Sequence, residues 1–517
     1  MKPFARYDMI TVDNTCTERR DPFMKQPIAP LLQALQAYAH SDAVPMHMPG
    51  HKRNTQFADY LSVLGAGFDI TEIHGFDDLH QPEGILLDSM NKAAALWNSR
   101  KAFYLINGST CGILAGIRAA AGQGSSVILT RGCHKSVYHA IELCGLTPHY
   151  LAPALDETFG IMGSITPAQV EQAIVECPHA KLLILTSPTY EGVLSDLPRI
   201  CELAHKAGIP VLVDEAHGAH LGLAEGWPQG AVAAGADLVV QSLHKTLPSL
   251  TQTALMHVNG SLISADAVAR QLGIFETSSP SYLLLSSIDG CVEYLLHNGT
   301  QAFAQWRKYL TIFSESVKNL QHLKILFYGQ DSLTQHPTFF AHDPSKLVIS
   351  CRGTSITGPE LMQQLRQGYG IELEMASGDY VIAMTGLGDT MQNLAALSHA
   401  LCAIDKTLQS QPQKQLNPPS LPIPQRICSV DTALRSSTVC TPLEQCIGSI
   451  SAEYVWAYPP GIPLLVPGEQ IDQACLDTCL RLMQQGISLR STSGSLPDSL
   501  LTLSPESVVA QNAMFLK

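Results

Sequence analysis

Lys245 stands in the run Gln241-Ser242-Leu243-His244-Lys245-Thr246, just past the apolar stretch Ala236-Asp237-Leu238-Val239-Val240. About thirty residues upstream, Val211-Leu212-Val213 feeds directly into Asp214-Glu215-Ala216-His217-Gly218. An amine and a carboxylate, each at the exit of a buried strand, are what pyridoxal 5′-phosphate (PLP) requires. The lysine can form a Schiff base with the aldehyde, and the acid can hold the pyridine nitrogen protonated, so that the ring becomes an electron sink. A lone lysine is most often a surface residue, and a lone aspartate can merely cap a turn. The joint pattern raises both: strand-Asp-x-x-His, a second strand, then Ser-x-His-Lys, with Ser242 and His244 flanking the lysine as phosphate ligands would.

The elements that must position these residues alternate between about residues 100 and 245. Ala102-Phe103-Tyr104-Leu105-Ile106 breaks at Asn107-Gly108-Ser109-Thr110, and a small-residue helix follows over 111–121. Val127-Ile128-Leu129-Thr130 ends at Arg131-Gly132-Cys133-His134, and Lys181-Leu182-Leu183-Ile184-Leu185-Thr186 ends at Ser187-Pro188-Thr189-Tyr190. A helix over 197–208 leads to the Asp214 strand, and 231–235 leads to the Lys245 strand. Near-continuous apolar strands separated by helices indicate an α/β fold whose sheet is mainly parallel and covered on both faces. Ligands bind such sheets beyond the carboxyl ends of the strands. His134, Tyr190, Asp214, His217 and Lys245 all fall there, so they can converge although far apart in sequence.

Asn107-Gly108-Ser109-Thr110-Cys111-Gly112, between a strand and a helix, fits a phosphate cradle, because small residues expose backbone N–H groups and the helix dipole favours an anion. Gly-Ser-Thr also makes an ordinary helix N-cap. No Walker A run and no complete GxGxxG with a following acid is present, so nucleotide binding is not favoured. His134 could stack on a cofactor ring or simply close a strand end. His217 and His220 lie three apart, but no carboxylate pattern supports a metal, and Pro49-Gly50 breaks any helix that would align His47 with His51. No metal is expected.

The 517 residues carry a formal charge of −13, with 45% hydrophobic and 15% charged residues, the profile of an ordinary globular protein of two or three domains. No basic block or aromatic-basic interleaving offsets that charge, which argues against nucleic acid. The start, Met1-Lys2-Pro3-Phe4-Ala5-Arg6, lacks the apolar core of a secretory signal, and no stretch approaches a transmembrane span; Ser281-Tyr282-Leu283-Leu284-Leu285-Ser286-Ser287-Ile288 is apolar but short. Fourteen cysteines without CxxC pairs read as reduced thiols of a cytoplasmic protein. Cys475 and Cys479 can share a helix face without a metal.

Five segments are expected. Residues 1–75 hold Pro/Gly/His-rich loops, 76–300 the ligand-binding large domain, and 301–408 a smaller α+β domain with strands at Lys346-Leu347-Val348-Ile349-Ser350 and Tyr380-Val381-Ile382-Ala383-Met384. A Gln/Pro-rich linker over 409–425 leads to a C-terminal module over 426–517. There is no internal repeat.

A series of motifs runs in order along the chain: Met48-Pro49-Gly50-His51-Lys52, Asp77-Asp78-Leu79-His80, Asn107 to Gly112, His134-Lys135-Ser136 and Ser187-Pro188-Thr189-Tyr190. Asp214-Glu215-Ala216-His217-Gly218, Ser242-x-His244-Lys245, Thr277-Ser278-Ser279-Pro280-Ser281-Tyr282 and Tyr458-Pro459-Pro460-Gly461-Ile462-Pro463 complete it. With these motifs the chain resembles the PLP-dependent ornithine/lysine/arginine decarboxylase family of fold type I, the aspartate-aminotransferase-like fold. It looks most like the shorter bacterial members that lack an N-terminal wing domain. The resemblance extends from about Pro30 to the C-terminal module; Arg19-Arg20-Asp21-Pro22 and residues 405–450 match nothing recognisable.

Carried over residue by residue, the resemblance implies Lys245 as the Schiff-base lysine and Asp214 as the pyridinium partner. Ser109, Thr110, Ser242 and His244 would hold the phosphate, with Cys111 beside them. His134 would stack on the ring, Ala216 would pack on its other face, and His217 would lie near the reacting centre. The active site would sit at a homodimer interface, the 277–282 loop with Ser279 supplying contacts from the second subunit. The reaction implied is α-decarboxylation of a basic amino acid, arginine or lysine favoured and ornithine possible, with His217 or Lys245 returning a proton to Cα. Asp77, Asp78 and Glu374 are candidates for receiving the distal cation, and each could equally be a capping or exposed acid. Two alternatives remain open: another fold type I enzyme, such as an aminotransferase or aldolase-type lyase, and a catalytically silent PLP-binding regulatory homologue.

Overall fold

The computed structural model describes residues 29–54, 56, 59–326, 333–411, 423–458, 461–484 and 487–507. Arg19-Arg20-Asp21-Pro22, most of the expected linker, and Pro459-Pro460 lie outside the described residues.

Seven strands form the central sheet, in the order Lys101–Leu105, Ala254–Val258, Leu238–Ser242, Val211–Asp214, Leu183–Thr186, Ser126–Thr130, Thr147–Leu151. The last five run parallel to one another. Ala254–Val258 pairs antiparallel with both neighbours, so the sheet is mainly parallel, as the apolar runs imply. Every residue of Val211–Asp214, Leu238–Ser242 and Ala254–Val258 is buried. A strand buried on both faces carries no polar alternation, which is why these segments read as continuous apolar runs. Each fully buried Val, Leu or Ile side chain contributes about 1.5–3 kcal/mol.

Two of these strands were not expected from the sequence. Thr147–Leu151 is a half-buried edge strand of mixed composition. Ala254–Val258 follows its antiparallel neighbour closely, without the crossover helix that announces a parallel strand.

The helix Gly108–Ala120 sinks deeply onto the sheet. A Cβ at Gly112 would stand 2.6 Å from Leu105 and 3.0 Å from Val240, and one at Gly116 2.8 Å from both Leu212 and Met256. Those two glycines therefore set how closely the helix approaches, and with it where Gly108, Ser109 and Thr110 begin at the strand ends.

The apolar run at 281–288 opens a 36-residue helix, Tyr282–Val317, that passes through the boundary expected at 300/301. Near its start, Asp289 Oδ2 accepts the Leu31 N–H at 2.9 Å; near its end, Ser316 O accepts from Cys402 Sγ at 3.6 Å. One rigid rod thus serves both domains. The smaller sheet runs Lys324–Ile325, Lys346–Ser350, Tyr380–Met384, Met375–Ala376, all antiparallel, packed with the helices Gly358–Tyr369 and Met391–Asp405.

The C-terminal module pairs Thr438–Pro442 with Ser499–Leu503, and Val455–Tyr458 with both Ile462–Leu465 and Ser488–Ser491. Cys475 and Cys479 lie buried in its core on the helix Gln473–Gln484. It docks through Arg131, whose Nη1 and Nη2 donate to Glu469 Oε1 and Oε2 at 2.7 and 2.9 Å. Trp456 meets the Tyr138 ring edge-on at 6.1 Å between centroids. Among the described residues no helix is long and apolar enough to cross a membrane.

Candidate active site

Four neighbouring parallel strands end at one cavity of about 500 Å³: Thr130, Thr186, Asp214 and Ser242 close their strands on its wall. Directly after Ser242 comes a helical turn, Leu243–Thr246, that presents Lys245. Lys245 Nζ lies 2.9 Å from His217 Nε2. The turn is braced from below. His220 hydrogen-bonds Thr246 Oγ1 at 3.2 Å and Asp343 Oδ1 at 3.1 Å, and its ring packs against those of Trp227 and Trp306, each 5.1 Å away between centroids.

Asp214 Oδ1 accepts the Ala216 N–H at 3.1 Å, and among the described residues no hydrogen bond reaches Oδ2. Burial raises its carboxyl pKa, and the Lys245 ammonium and that N–H pull it back. A buried carboxylate with one free oxygen facing a cavity is a receptor for a cationic N–H. Burial lowers the Lys245 ammonium despite Asp214 and Glu374, and lowers His217 well below an ordinary imidazole, helped by the Lys245 charge. His134 is pushed down to about 4, mainly by burial and then by Lys245. Its Nδ1 accepts the Ser136 N–H at 3.3 Å, which caps the helix Lys135–Cys144 and fixes the ring at the cavity wall.

Among the described residues, three buried polar atoms on this wall have no hydrogen-bond partner: Ser242 Oγ, His217 Nδ1 and Thr130 Oγ1. Ser242 shares the wall with Ser109, Thr110 and His244, beside the N-terminus of Gly108–Ala120. Hydroxyls, helix N–H groups and an imidazole in one place suit a phosphoryl group. With Lys245 at the other end and Asp214 able to receive a ring N–H, this donor set fits PLP. No group of three or more metal-competent side chains occurs among the described residues. His47 and His51 take separate partners, Tyr38 at 2.6 Å and Asp69 at 3.2 Å.

The cavity brings together Ser109, Thr110, His134, Asp214, Ala216, His217, Ser242, His244 and Lys245. Four expected residues lie elsewhere. Cys111 turns away, its Sγ donating to Glu276 Oε2 at 3.2 Å, because successive helix residues point about 100° apart. Asp77 is a cap: at φ 71° its carboxylate accepts the N–H groups of Asp78, Glu83, Gly84 and Leu86. Those bonds outweigh burial and hold it below the usual carboxylate range. Asp78 Oδ1 accepts the His80 N–H at 2.8 Å, and His80 Nε2 pairs with Thr277 O at 2.9 Å. Ser279 is exposed on that same loop, outside this chain's cavity. Glu374 reaches the wall indirectly, accepting from the hydroxyl of Tyr190, whose ring lies 4.7 Å from that of His217.

Several residues of the site were not singled out from the sequence. Thr130 and Thr186 obey the strand-end rule and could have been found by it. Glu276 could not: its Oε1 accepts the Ile106 and Asn107 N–H groups at 3.1 and 2.6 Å, holding the cradle from a different helix end. Ile462 of the C-terminal module also lines the cavity.

The family model of the Orn/Lys/Arg decarboxylase major domain matches residues 29–354, and that of its C-terminal domain matches 424–488. The chain belongs to this family. The enzyme is 32% identical over 480 residues to an arginine decarboxylase of Bacillus subtilis (strain 168), covering 91% of this chain and 97% of that one. An arginine decarboxylase of Halalkalibacterium halodurans is 33% identical over 459 residues, covering 87% and 93%. Among solved structures, the constitutive lysine decarboxylase of E. coli has a TM-score of 0.76 at 20% identity, over 92% of this chain and 82% of that one. The fold is therefore that of the fold type I PLP enzymes, and the chain is an amino-acid decarboxylase.

Proposed function

We propose that the enzyme removes the α-carboxyl group of a basic amino acid as CO₂, with PLP held between Lys245 and Asp214. The observation that carries this is the pairing of those two side chains across one cavity whose third wall offers unsatisfied hydroxyls. When bound, PLP supplies an aldehyde that condenses with amines and a pyridinium ring that accepts the electron pair left by CO₂.

The protein's own part follows from its geometry. Lys245 Nζ is the anchoring amine, and His217 Nε2 shares its proton. Asp214 would keep a proton on the ring nitrogen, and His134 and Ala216 would cover the two ring faces. Ser109, Thr110, Ser242 and His244 would hold the phosphate. Either His217 or Lys245 returns a proton to Cα, so one proton is consumed for each CO₂ released.

Arginine is the favoured substrate, with lysine next and ornithine possible. Support comes from the relatives: four of them, 31–33% identical, are named arginine decarboxylases. Glu374, which accepts from the Tyr190 hydroxyl on the cavity wall, is the acid read as receiving the distal cation. A second copy of the chain is read as completing the site from the Asp77–His80 and Thr277–Tyr282 loops. Apolar side chains exposed nearby in sequence, Met46 at 87% and Val63 at 89%, give such a homodimer something to bury. A cytoplasmic setting agrees with the free thiols found throughout the described residues.

The test offers arginine, lysine and ornithine to the PLP-loaded protein and identifies the amine and CO₂ formed. Lys245→Ala should lose the visible-edge absorbance of the lysine-bound cofactor and nearly all turnover. Full activity in that variant eliminates the proposal, and a keto acid in place of the amine replaces it with transamination.

A further inference from the structure

Thr246 follows Lys245 directly, closes the turn Leu243–Thr246 and is 2% exposed. Two bonds tie it to the smaller domain. Its carbonyl accepts the Leu387 N–H at 2.9 Å, from the loop after the strand Tyr380–Met384. A Cβ at Gly386 would stand 3.2 Å from that carbonyl oxygen, so the glycine lets the loop come this close. The Thr246 hydroxyl meets His220 Nδ1 at 3.2 Å, and His220 Nε2 meets Asp343 Oδ1 at 3.1 Å, in the loop before the strand Lys346–Ser350.

Asp343 is itself held fast. Its Oδ1 and Oδ2 accept the Ser345 N–H and hydroxyl at 2.9 and 2.7 Å, and its own N–H donates to Gly192 O at 2.8 Å. A carboxylate only accepts, so His220 Nε2 carries the hydrogen between them, and a neutral ring takes the Thr246 hydroxyl hydrogen on Nδ1. Trp306, whose ring packs on that of His220, donates from Nε1 to Thr385 Oγ1 at 3.1 Å, and Thr385 Oγ1 donates to Ser345 O at 3.0 Å.

Carboxylate, imidazole and hydroxyl in series also make up a hydrolytic triad. Burial excludes that use here: His220 and Asp343 are 0% exposed, and none of the three residues lines the cavity. The series ends instead on the residue peptide-bonded to Lys245.

We propose that His220 is a positioning residue for Lys245: with Asp343 and Thr246 it forms a buried clamp through which the smaller domain fixes the turn that presents the amine. Lysine is a long, flexible side chain, and a misplacement of about 1 Å can cost about 10²-fold in rate. The His217 contact at 2.9 Å directs its tip, and the clamp sets its base. The inference rests on the proposed anchoring role of Lys245.

The experiment uses the full chain with Thr246→Val, Thr246→Ser, His220→Phe and the double variant Thr246→Val/His220→Phe. Phenylalanine keeps a ring against the two tryptophans and removes both hydrogen bonds. Cofactor-free protein is mixed with PLP, and the visible-edge absorbance follows capture by the lysine. Sodium borohydride fixes the product, and peptide mass spectrometry locates it at Lys245. Thr246→Val and His220→Phe should each slow capture by about tenfold. Their affinity for pyridoxine 5′-phosphate, which lacks the aldehyde, should stay within about twofold of the wild type. Thr246→Ser keeps the hydroxyl and should capture like the wild type. Both changes cut one series, so the double variant should be within about twofold of either single one.

Capture at the wild-type rate in folded Thr246→Val overturns the inference, and so does equal slowing in Thr246→Ser. Slowing of about a hundredfold in the double variant would show two independent effects and also overturns it. A matching loss of pyridoxine 5′-phosphate affinity marks general damage to the site and counts against a positioning role. Should one single variant not fold, the other carries the same reading; if neither folds, the clamp is purely structural and the inference fails. The capture reading needs no substrate. A wild-type chain that captures PLP on Lys245 but forms no amine therefore overturns the proposed function and leaves this inference standing.

Discussion

Of the buried acid–base groups among the described residues, two sets are built in opposite ways. Arg131 and Glu469 meet head to head, their side chains 0% and 2% exposed. Glu469 Oε2 also accepts the Val466 N–H at 2.9 Å, and Arg131 Nη2 donates to Leu464 O at 3.2 Å. Asp214 and Lys245 are also deep but are held apart: one bonds a backbone N–H, the other bonds His217, and the cavity lies between. The closed pair uses its charges to fasten the C-terminal module to the strand end next to His134. The open pair keeps hydrogen-bonding capacity for a ligand. Burial and charge are common to both, so neither marks a site by itself; unsatisfied atoms facing a space do.

The comparison breaks first at Asp214. Asp214→Ala should leave some cofactor bound but slow turnover by about 10³-fold or more, with folding stability little changed. An unaffected rate removes its assigned role. Glu469→Ala should do the reverse, stranding a buried guanidinium and lowering stability by about 3–5 kcal/mol in urea unfolding. A loss below about 1 kcal/mol would mean the pair is not closed in solution.

Acid sharpens the contrast further. Burial depresses His134 to about 4 and His257 to about 3, so both rings are neutral when folded. The unfolded rings titrate near 6.5, so the unfolded chain binds more protons as pH falls. Their contribution is complete above about 6.5 and erodes as pH drops toward each folded value, by about 2 kcal/mol per ring at pH 5. Thermal melts across pH 7 to 5 check this, and a flat midpoint would contradict it. PLP should restore part of the loss through His134 alone. His257 is tied to Gln241 and Ser99 under the sheet, away from the cavity.

Much of the site was legible because its residues follow parallel strands. Asp214, Ser242 and the turn bearing Lys245 come directly after runs that are apolar on both faces, and the polarity changes where the strand leaves the core. His134 follows the same rule on the Ser126–Thr130 strand. Rotation about a helix was not legible. Ser109 and Thr110 face the cavity while Cys111, one residue on, faces Glu276, and only docking of the helix on Gly112 and Gly116 decides which. The cap at Asp77 depends on a left-handed backbone that its motif alone does not reveal.

From its order of residues alone, then, this chain determined its layered α/β architecture, the strand ends that carry its chemistry, and its family motifs. Those are local consequences of hydrophobic patterning and of turns between buried strands. The tertiary structure decided which groups meet across long separations, such as Arg131 with Glu469, 338 residues apart. It also decided that Tyr282–Val317 is one helix shared by two domains, and that Lys346 is buried with no hydrogen bond to its Nζ among the described residues. Such contacts depend on how rigid elements dock, and packing geometry, unlike periodicity, leaves no repeating pattern in the sequence.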